Sequence, residues 1–410
     1  MKLNFYNNVY LVKGYKKDCI YDLANRKLYH INRELTTLIE NCIFQNKSNF
    51  TKEEINVLKQ LKENKILYES SDSYVHDISE IAVNPKIDFA WIEICTFCNL
   101  KCKHCYNESS SECHETMSFQ DFCETCEKLL KYGIKKIQLI GGEPFCHKDI
   151  RKMLSFSSEK FESVEVFTNG TLLNEKWCDF LKGKNIKVAL SVYSYIPKEH
   201  DKVTTITGSY QKTINSIQML KDRGVKYRIA TTHMKNIEIG ECNTKLFKIN
   251  PNKDIIRMAG RGNINLLSPE LLRKKLITKS TFSYELNPQR IAVNIAGHQC
   301  FSKKIYISAN LEAFPCVMER RISHGNLKEH SLEEILDDKI LFFNKNKVNE
   351  CSECEFRYAC HDCRPDSLSD NIYDKPYNCT YDVKNGIWLN EDDVIKKILS
   401  NENDSKAIRK

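Results

Sequence analysis

Apolar and polar residues alternate with two different periods in the first 84 residues of the chain. Three short strands are predicted where the period is two, at residues 10–13, 19–23 and 27–31. A helix is predicted at about residues 33–42, and Thr51 with Glu54 forms a capping box that opens a second helix. A strand at residues 66–68 ends the unit. This order of elements predicts a small winged-helix-like module over residues 1–84.

Strand-like and helix-like runs alternate at the spacing of βα units over residues 86–265. Six strands are predicted there, at residues 87–94, 136–140, 163–168, 187–192, 225–231 and 254–258. Six such units predict the α/β class and a partial (β/α)6 barrel, in which chemistry lies on the loops after the strands. A cysteine-rich domain is predicted at residues 266–385, followed by a charged tail at 386–410.

The 410-residue chain contains 19 cysteines but no sequence that is typical of a secretion signal or a membrane span. An odd number of thiols in a long, unsecreted chain indicates metal ligands and free thiols rather than a disulfide framework. The net charge of +8 arises from 62 basic and 54 acidic residues, so a solvated Lys-rich surface accounts for it. We therefore expect a cytoplasmic protein that binds neither nucleic acid nor a membrane.

Three cysteines, Cys98, Cys102 and Cys105, lie within eight residues directly after the first predicted barrel strand. A 4Fe-4S cluster contains four irons, and thiolate ligation of all four needs four cysteines. Three close cysteines therefore bind three irons and leave the fourth iron open to another ligand, as in an open catalytic metal site. A zinc knuckle or buried free thiols are the alternative interpretation of these three residues alone.

With Tyr106 following it, this loop resembles the signature of the radical S-adenosylmethionine (SAM) enzymes, in which three and then two residues separate the cysteines. The resemblance implies that the open iron chelates the amino and carboxylate groups of SAM. It also implies that an electron splits SAM into methionine and a 5′-deoxyadenosyl radical, which removes a hydrogen atom from the substrate. Cys95 is the alternative first ligand, although Cys98 fits the spacing better.

The turn after the second predicted strand resembles a SAM-binding motif of this family. Gly141, Gly142, Glu143 and Pro144 stand where the family's GGEP segment contacts the SAM amino group. Glycines let the backbone approach a ligand closely, and a carboxylate attracts an ammonium group. By itself, this sequence is also typical of an ordinary turn. Cys146 follows closely enough to approach the same site, although packing is the commoner role of such a thiol.

Later turns resemble family segments that lie near the cofactor. Asn169 follows the third strand in a polar turn, and Ser191 or Ser194 after the fourth is expected to bind the ribose, with a surface hydroxyl as the equal alternative. Ser209 is the predicted N-cap of the helix that follows. A Gly-Arg-Gly turn at residues 260–262 is expected to end the sixth strand with its backbone close to the adenosyl group.

The predicted C-terminal domain carries seven closely spaced cysteines: Cys300, Cys316, Cys351, Cys354, Cys360, Cys363 and Cys379. Two zinc ribbons are the competing interpretation, but only five residues separate Cys354 from Cys360, whereas a ribbon needs roughly 15 to 20. Dense thiolate sets suit iron–sulfur clusters better. The arrangement resembles the SPASM domain of radical SAM enzymes that modify peptides and proteins.

The SPASM resemblance implies one or two auxiliary 4Fe-4S clusters. One would be held by Cys351, Cys354, Cys360 and Cys379, and the other, with an open or substituted iron, by Cys300, Cys316 and Cys363. Two departures leave this partition open, since two residues rather than three separate Cys360 from Cys363, and Leu311 stands where the family usually has glycine. A three-cysteine site either binds the substrate or serves only electron transfer.

Sequences near both ends of the chain, at residues 12–23, 355–364 and 373–382, resemble the maturases of grasp-with-spasm peptide systems. The resemblance implies an enzyme that introduces a thioether crosslink or a related change into a ribosomally synthesised precursor peptide. The implied partners are that peptide, an electron donor such as ferredoxin or flavodoxin, and an ATP-grasp enzyme. The peptide's leader would add as a strand to the N-terminal module. A DNA-binding winged helix or a structural cap are the alternatives for this module.

Two other functions stay open from the sequence. A sulfatase-type maturase or a cofactor-biosynthesis enzyme would have the same architecture. A non-catalytic iron–sulfur or metal-sensing protein would use the same cysteines without cleaving SAM. The sequence identifies no catalytic acid, base or hydrogen donor.

Overall fold

The structure is a computed structural model that describes residues 2–45, 47, 49–71, 74–241 and 252–400. Within the predicted tail, an α-helix is present at Glu391–Ser400, and residues 401–410 lie outside the described part. No helix among the described residues is long and apolar enough to cross a membrane.

The N-terminal module contains two small antiparallel sheets and two helices. Its elements are β1 (Leu3–Phe5), β2 (Val9–Lys13), β3 (Asp18–Asp22), β4 (Lys27–Ile31), α1 (Arg33–Phe44), α2 (Lys52–Glu63) and β5 (Leu67–Glu69). Strands β2, β3 and β4 form one sheet, and β1 pairs with β5 in the other. The capping box of Thr51 and Glu54 is confirmed, whereas β1 was not predicted because three residues are too few to show a period.

The central region is a sheet of parallel strands with helices between them. Its strands are β6 (Phe89–Glu93), β7 (Lys136–Ile140), β8 (Ser163–Thr168), β9 (Ile186–Ser191), β10 (Tyr227–His233) and β11 (Asn252–Ile255). The intervening helices are α3 (Phe119–Tyr132), α4 (Ile150–Lys160), α5 (Glu175–Leu181), α6 (Pro197–Thr204) and α7 (Ser209–Asp222). The six strands lie side by side in chain order and run parallel, which confirms the predicted α/β class.

The predicted domain that begins at residue 266 contributes strands to this same sheet. Strand β12 (Lys304–Ile307) pairs parallel with β6, and the antiparallel strands β13 (Glu312–Phe314) and β14 (Gly325–Asn326) extend the edge. The turn before β13 places Leu311 at φ 66°, a left-handed conformation that glycine adopts freely. The turn therefore persists although leucine stands at this position.

The remaining C-terminal elements are short. They are α8 (Pro269–Lys275), α9 (Pro288–Ala296), α10 (Leu332–Ile335), α11 (Asp338–Leu341), β15 (Tyr381–Asp382), β16 (Ile387–Trp388) and α12 (Glu391–Ser400). Between α11 and β15 the described chain forms turns and 3-10 segments that carry five of the predicted cysteine ligands.

Two predictions about the barrel boundaries were wrong. The sixth strand ends at Ile255 rather than Met258, so the Gly-Arg-Gly turn follows the strand after a short connection. Ser209 is the first residue of α7 rather than its N-cap, which is Gly208. Asp201 replaces the expected cap, because its carboxylate accepts hydrogen bonds from Gly208 N at 2.6 Å, Ser209 Oγ at 2.8 Å and Tyr210 N at 2.8 Å.

The parallel sheet has a different core on each face. Ile92, Leu139 and Val166 belong to the cluster that packs against the helices. On the other face, Trp91 and Tyr306 belong to a cluster that also contains Tyr106 and several of the C-terminal cysteines. The second cluster therefore brings the cysteine loop and the C-terminal domain to the inner face of the sheet.

The N-terminal module packs directly on the C-terminal domain. Tyr21 of β3 is fully buried in a cluster with Phe356 and Tyr381, and its hydroxyl donates to the Glu355 carbonyl oxygen at 2.9 Å. His30 of β4 lies 2.7 Å from the Glu355 carboxylate, measured from Nε2 to Oε1. The module is therefore attached to the segment that carries Cys354 and Cys360.

Candidate cofactor-binding site

The three-cysteine loop begins directly after β6 and folds back on itself. Cys98 N donates to the Ser110 carbonyl oxygen at 3.0 Å, and Cys105 N donates to the Cys102 carbonyl oxygen at 3.3 Å. Burial raises the pKa of the Cys102 thiol to about 12, and the adjacent Cys105 contributes to the rise. Burial also raises the pKa of the Cys98 thiol, and the nearby Glu143, Cys102 and Cys105 add to the rise. The structure therefore brings the three predicted ligands together, with Cys98 buried and Cys102 and Cys105 half-buried.

The donor set fits a four-iron cluster better than one metal ion. A single zinc ion needs four ligands within about 2.0–2.3 Å of one point. Among the described residues, no three His, Cys, Asp or Glu side chains are placed so as to share a metal ion. A 4Fe-4S cluster receives its thiolates on different irons, so its ligands do not converge on one point.

The glycine pair after β7 packs directly on the cysteine loop. Gly142 N donates to the Cys95 carbonyl oxygen and Glu143 N donates to the Phe97 carbonyl oxygen, both at 2.8 Å. A Cβ atom at Gly142 would lie 2.0 Å from the Phe97 oxygen, and one at Gly141 would lie 2.3 Å from the Cys95 oxygen. Only glycine permits this approach, so the pair sets the distance between the two loops.

The Glu143 carboxylate joins the ends of β7 and β8. It is fully buried and accepts hydrogen bonds from Thr168 Oγ1 at 2.6 Å, Asn169 N at 2.8 Å and Phe145 N at 3.0 Å. Burial raises the pKa of Glu143 to about 7, against the effect of these three donors. Pro144 follows in a buried 3-10 turn. Glu143 therefore fixes the loops after β7 and β8 against each other and also places a carboxylate between them.

Asn169 connects the turn after β8 to the first cysteine. Its amide nitrogen donates to Asn99 Oδ1 at 2.9 Å and lies 3.9 Å from the Cys98 sulfur. Its side-chain oxygen accepts a hydrogen bond from Thr171 N at 2.9 Å. The predicted turn therefore lies beside the predicted cluster ligand.

Cys95 and Cys146 lie near each other rather than with the three-cysteine loop. Burial raises the pKa of Cys95 to about 12, and Glu143 and Cys146 contribute next. The Cys95 sulfur lies 3.5 Å from the Glu143 carbonyl oxygen. Burial raises the pKa of Cys146 to about 11. These surroundings favour Cys98 over Cys95 as the first ligand.

The structure distinguishes the two candidate serines after β9. Ser194 Oγ donates to the Glu238 carbonyl oxygen at 2.7 Å, so this hydroxyl fixes a loop. Ser191 is buried at the end of β9, close to the hydroxyl of Tyr193. That tyrosine also faces the Cys102 thiol, and its ring lies 4.7 Å from the ring of His104. Tyr193 and His104 were missed because only the tertiary fold brings them together.

The Gly-Arg-Gly turn clamps the cysteine loop from the opposite side. Arg261 Nε donates to the Cys102 carbonyl oxygen and Nη2 donates to the Ser109 carbonyl oxygen, both at 2.8 Å. The Arg261 backbone N donates to the Cys105 carbonyl oxygen at 3.0 Å. A Cβ atom at Gly260 would lie 2.4 Å from the backbone carbonyl oxygen of Tyr106. The Arg261 guanidinium therefore donates its hydrogen bonds to backbone carbonyl oxygens in and just after the cysteine loop.

The seven C-terminal cysteines separate into two groups. Four of them line one cavity: Cys351, Cys354, Cys360 and Cys379. In the other group, Cys316 has Cys300 and Cys363 as its thiol neighbours, and burial followed by Cys300 raises the pKa of Cys316 to about 12. The SPASM resemblance implies the same two sets, and the cluster that each set holds stays a prediction.

A buried carboxylate lies between the cysteine loop and the three-cysteine group. Glu93, the last residue of β6, is 3% exposed, and its Oε1 accepts a hydrogen bond from Ala309 N at 3.3 Å. Arg320 Nη2 lies 4.0 Å from Glu93 Oε2 and donates to Tyr306 Oη at 2.6 Å and to Asn107 Oδ1 at 3.1 Å. Glu93 occupies an ordinary strand position, so the sequence alone does not single it out.

Comparison with known families identifies the central domain. Residues 92–239 match the Radical SAM superfamily. This stretch contains the three-cysteine loop, the glycine pair and the turns after β8 and β9. Residues 92–239 are a radical SAM domain. Such a domain uses SAM and a 4Fe-4S cluster, and the thiol-only donor set of its loop fits that cluster.

Three known proteins resemble the chain beyond the radical SAM domain. The antilisterial bacteriocin subtilosin biosynthesis protein AlbA of Bacillus subtilis (strain 168) is 26% identical over 354 residues, which cover 79% of this chain and 78% of AlbA. The AdoMet-dependent heme synthase of Methanosarcina barkeri is 23% identical over 339 residues, covering 71% of this chain and 95% of the synthase.

The third similarity is to a solved structure. Streptococcus suis SuiB bound to S-adenosylmethionine has a TM-score of 0.54 and 14% sequence identity, with 88% of this chain and 96% of SuiB covered. At this identity the likeness supports the fold alone. The shared fold extends over the radical SAM domain and the regions on both sides of it.

Proposed function

We propose that this protein is a radical SAM enzyme that modifies a ribosomally synthesised precursor peptide. The observation that carries the proposal is the arrangement of ten cysteines as a loop of three, a cavity of four and a group of three. Similarity to AlbA over most of both chains supports a peptide substrate. We place the protein in the cytoplasm, where such peptides are made.

Cys98, Cys102 and Cys105 would hold the 4Fe-4S cluster of the radical SAM domain. When bound, that cluster and SAM supply a carbon-centred radical that removes hydrogen from an unactivated carbon, which no protein side chain does. The backbone of Gly141 and Gly142 holds the adjacent loop close to the cysteines. That loop would form the wall against which SAM binds.

The polar groups around this wall would orient SAM. Glu143 and Pro144 would face its amino group, while Asn169 and Ser191 would bind its polar atoms from the ends of β8 and β9. The three hydrogen bonds that Glu143 accepts leave carboxylate lone pairs for a further donor. Burial disfavours the charged form of the Glu143 carboxyl and raises its pKa. An ammonium group bound beside it would favour the charged form and so oppose this effect.

The C-terminal cysteines would hold two auxiliary 4Fe-4S clusters. Cys351, Cys354, Cys360 and Cys379 would complete one cluster, and Cys300, Cys316 and Cys363 would leave one iron of the other open. Joining two substrate atoms that each carry hydrogen releases one hydrogen atom, one proton and one electron. The auxiliary clusters are the groups that would accept this electron and return it to a carrier such as ferredoxin or flavodoxin.

The N-terminal module would receive the leader of the precursor peptide. Among the described strands, β4 pairs with β3 alone, so its other edge can accept an added strand. The link from His30 on β4 to Glu355 connects this edge to the four-cysteine site. An ATP-grasp enzyme acting on the same peptide is the proposed further partner.

Mass spectrometry of a co-expressed peptide tests this function. The chain is expressed with the short peptide encoded beside its gene, and the peptide is compared with the product of the Cys98→Ala variant. We expect a loss of two hydrogen masses per crosslink with the unsubstituted chain and an unchanged mass with the variant. An enzyme that cleaves SAM but changes no such peptide would contradict the proposal.

A small-molecule substrate is the second candidate function. The similarity to the heme synthase, which covers 95% of that enzyme, favours it. The two functions predict different effects of adding an excess of the isolated leader segment of the peptide, which would occupy the N-terminal module. A peptide maturase loses modification and keeps SAM cleavage, whereas conversion of a small molecule needs no leader site.

A further inference from the structure

A buried lysine lies beside the four-cysteine cavity and takes no part in the function described above. Lys345 begins a 3-10 turn and is 5% exposed. Its side chain lines the cavity together with Cys351, Cys354, Cys360 and Cys379. A fully buried lysine is rare because an ammonium group loses its hydration, so its place at this cavity needs an explanation.

The charge of Lys345 is only partly neutralised. Its Nζ forms an ion pair with Asp362, and among the described residues it makes no hydrogen bond to a carbonyl or hydroxyl group. Asp362 is also ion-paired with Arg364, so one carboxylate serves two buried cations. An ammonium group has three N–H donors, and Asp362 cannot satisfy all of them. Together, Lys345, Arg364 and Asp362 therefore carry a net positive charge.

This excess charge faces the cysteines. Burial opposes the charge of Lys345, but Asp362, Cys360 and Cys351 outweigh it and hold the pKa of Lys345 above its ordinary value. Glu355, beside Cys354, is the buried carboxylate on the side of the N-terminal module, where His30 and Tyr381 contact it. Lys345 is the most buried of the three cations that line the cavity, since Arg357 and Lys375 are only half-buried.

We propose that Lys345 sets the reduction potential of the iron–sulfur cluster held by these four cysteines. The inference rests on the proposed function, since it assumes that the cavity holds a 4Fe-4S cluster. A cluster with four thiolates is negatively charged, and reduction adds one more negative charge. A buried cation favours the reduced form, because Coulomb interactions are strong at low effective dielectric. Lys345 is a positioning residue in this scheme and touches no substrate.

Two neighbouring substitutions are expected to shift the potential in opposite directions. Lys345→Met keeps the length of the side chain and removes the positive charge, so the potential falls. Asp362→Asn removes the negative charge that restrains Lys345 and Arg364, so the potential rises. Lys345→Arg keeps the charge and is the matched control. A purely structural role for the lysine predicts that Lys345→Met leaves the potential unchanged, whatever the Asp362→Asn variant shows.

A redox titration followed by electron paramagnetic resonance measures the effect on the full chain, reconstituted without oxygen. The Cys351→Ala variant identifies the titration step of the four-cysteine cluster by its loss. At a fixed potential, we expect Lys345→Met to lower the reduced-to-oxidised ratio of that step at least tenfold, which is 59 mV for one electron. The Asp362→Asn variant should shift the same step upwards.

The outcomes separate the inference from the function beneath it. A chain that binds no auxiliary cluster would overturn the proposed function. A chain whose cluster titrates at the same potential in Lys345→Met, Asp362→Asn and the unsubstituted protein would overturn only the role of Lys345. If Lys345→Met loses iron, the reduction potential of the four-cysteine cluster in Asp362→Asn is compared with that of the unsubstituted protein. A lower or unchanged potential in Asp362→Asn contradicts the inference.

Discussion

Arg261 Nε donates to the carbonyl oxygen of Cys102 at 2.8 Å, although 159 residues separate the two in the chain. A second hydrogen bond from the same guanidinium reaches the Ser109 carbonyl oxygen at 2.8 Å. The cysteine loop is therefore held on two sides, by the glycine pair after β7 and by the turn after β11, which is an edge strand of the sheet. This clamp keeps three thiols in place before any iron binds.

Arg261→Ala is expected to loosen the cysteine loop. It removes two hydrogen bonds from a charged donor, each worth about 1.5–3 kcal/mol. We expect faster loss of iron from the radical SAM site when a chelator is added, measured by absorbance. Arg223→Ala is the control, since Arg223 pairs with Asp179 at 2.8 Å away from the loop. Equal iron loss in the two variants would contradict the clamp.

Gly142→Ala is expected to displace the cysteine loop, because its Cβ atom would lie 2.0 Å from the Phe97 carbonyl oxygen. Overpacking of this kind costs about 1–3 kcal/mol of unfolding free energy. We also expect the iron content of the reconstituted protein to fall.

Gly183→Ala is the matched control for Gly142→Ala. Gly183 has φ +75°, and no atom lies within 4 Å of a Cβ atom placed there. Backbone strain alone should cost about 1–2 kcal/mol at Gly183 and leave the iron content unchanged. Unchanged iron in Gly142→Ala would show that the close approach is not needed for cluster binding.

Acid is expected to destabilise the fold through His324. Burial lowers the pKa of His324 from 6.5 to about 4, and its Nδ1 accepts a hydrogen bond from Asp337 N at 3.1 Å. The unfolded chain binds this proton more readily, so the contribution of His324 is complete above pH 6.5 and is lost as the pH falls towards 4. The loss amounts to about 1–3 kcal/mol.

Urea unfolding at pH 7.5 and pH 5 measures this dependence. His324→Asn keeps an acceptor for Asp337 N and removes the titrating group. The difference in unfolding free energy between the two pH values should therefore be smaller in the variant. An equal difference in the two proteins would assign the acid sensitivity to other groups.

The sequence pattern predicted most of the barrel because its strands are long and strongly apolar. The strands at 136–140 and 163–168 were predicted with the same bounds that the structure shows. The prediction places the sixth strand too far along the chain, because Ile256 and Met258 are apolar and pack in the core although they lie in a connection. The sequence predicts Ser209 as the cap, because the motif does not show that the Asp201 carboxylate accepts hydrogen bonds from Gly208 N and Tyr210 N.

Tertiary contacts account for the site residues that the sequence left out. Cysteine spacing indicated the ligand sets, since thiols at these intervals are rare in other roles. Glu93, Tyr193 and Lys345 have no such spacing, and each acquires its neighbours only when distant segments fold together. Strand β12 is not predicted for a related reason, since four residues show no period and the strand forms only by pairing with β6 and β13.

The central claim is that the loop of Cys98, Cys102 and Cys105 leaves one iron open for SAM. The most direct measurement is the formation of 5′-deoxyadenosine by the reconstituted protein, without oxygen, with dithionite and SAM. We expect product from the unsubstituted chain, none from Cys98→Ala and a reduced amount from Cys351→Ala. A Cys98→Ala protein that still forms 5′-deoxyadenosine would contradict the account.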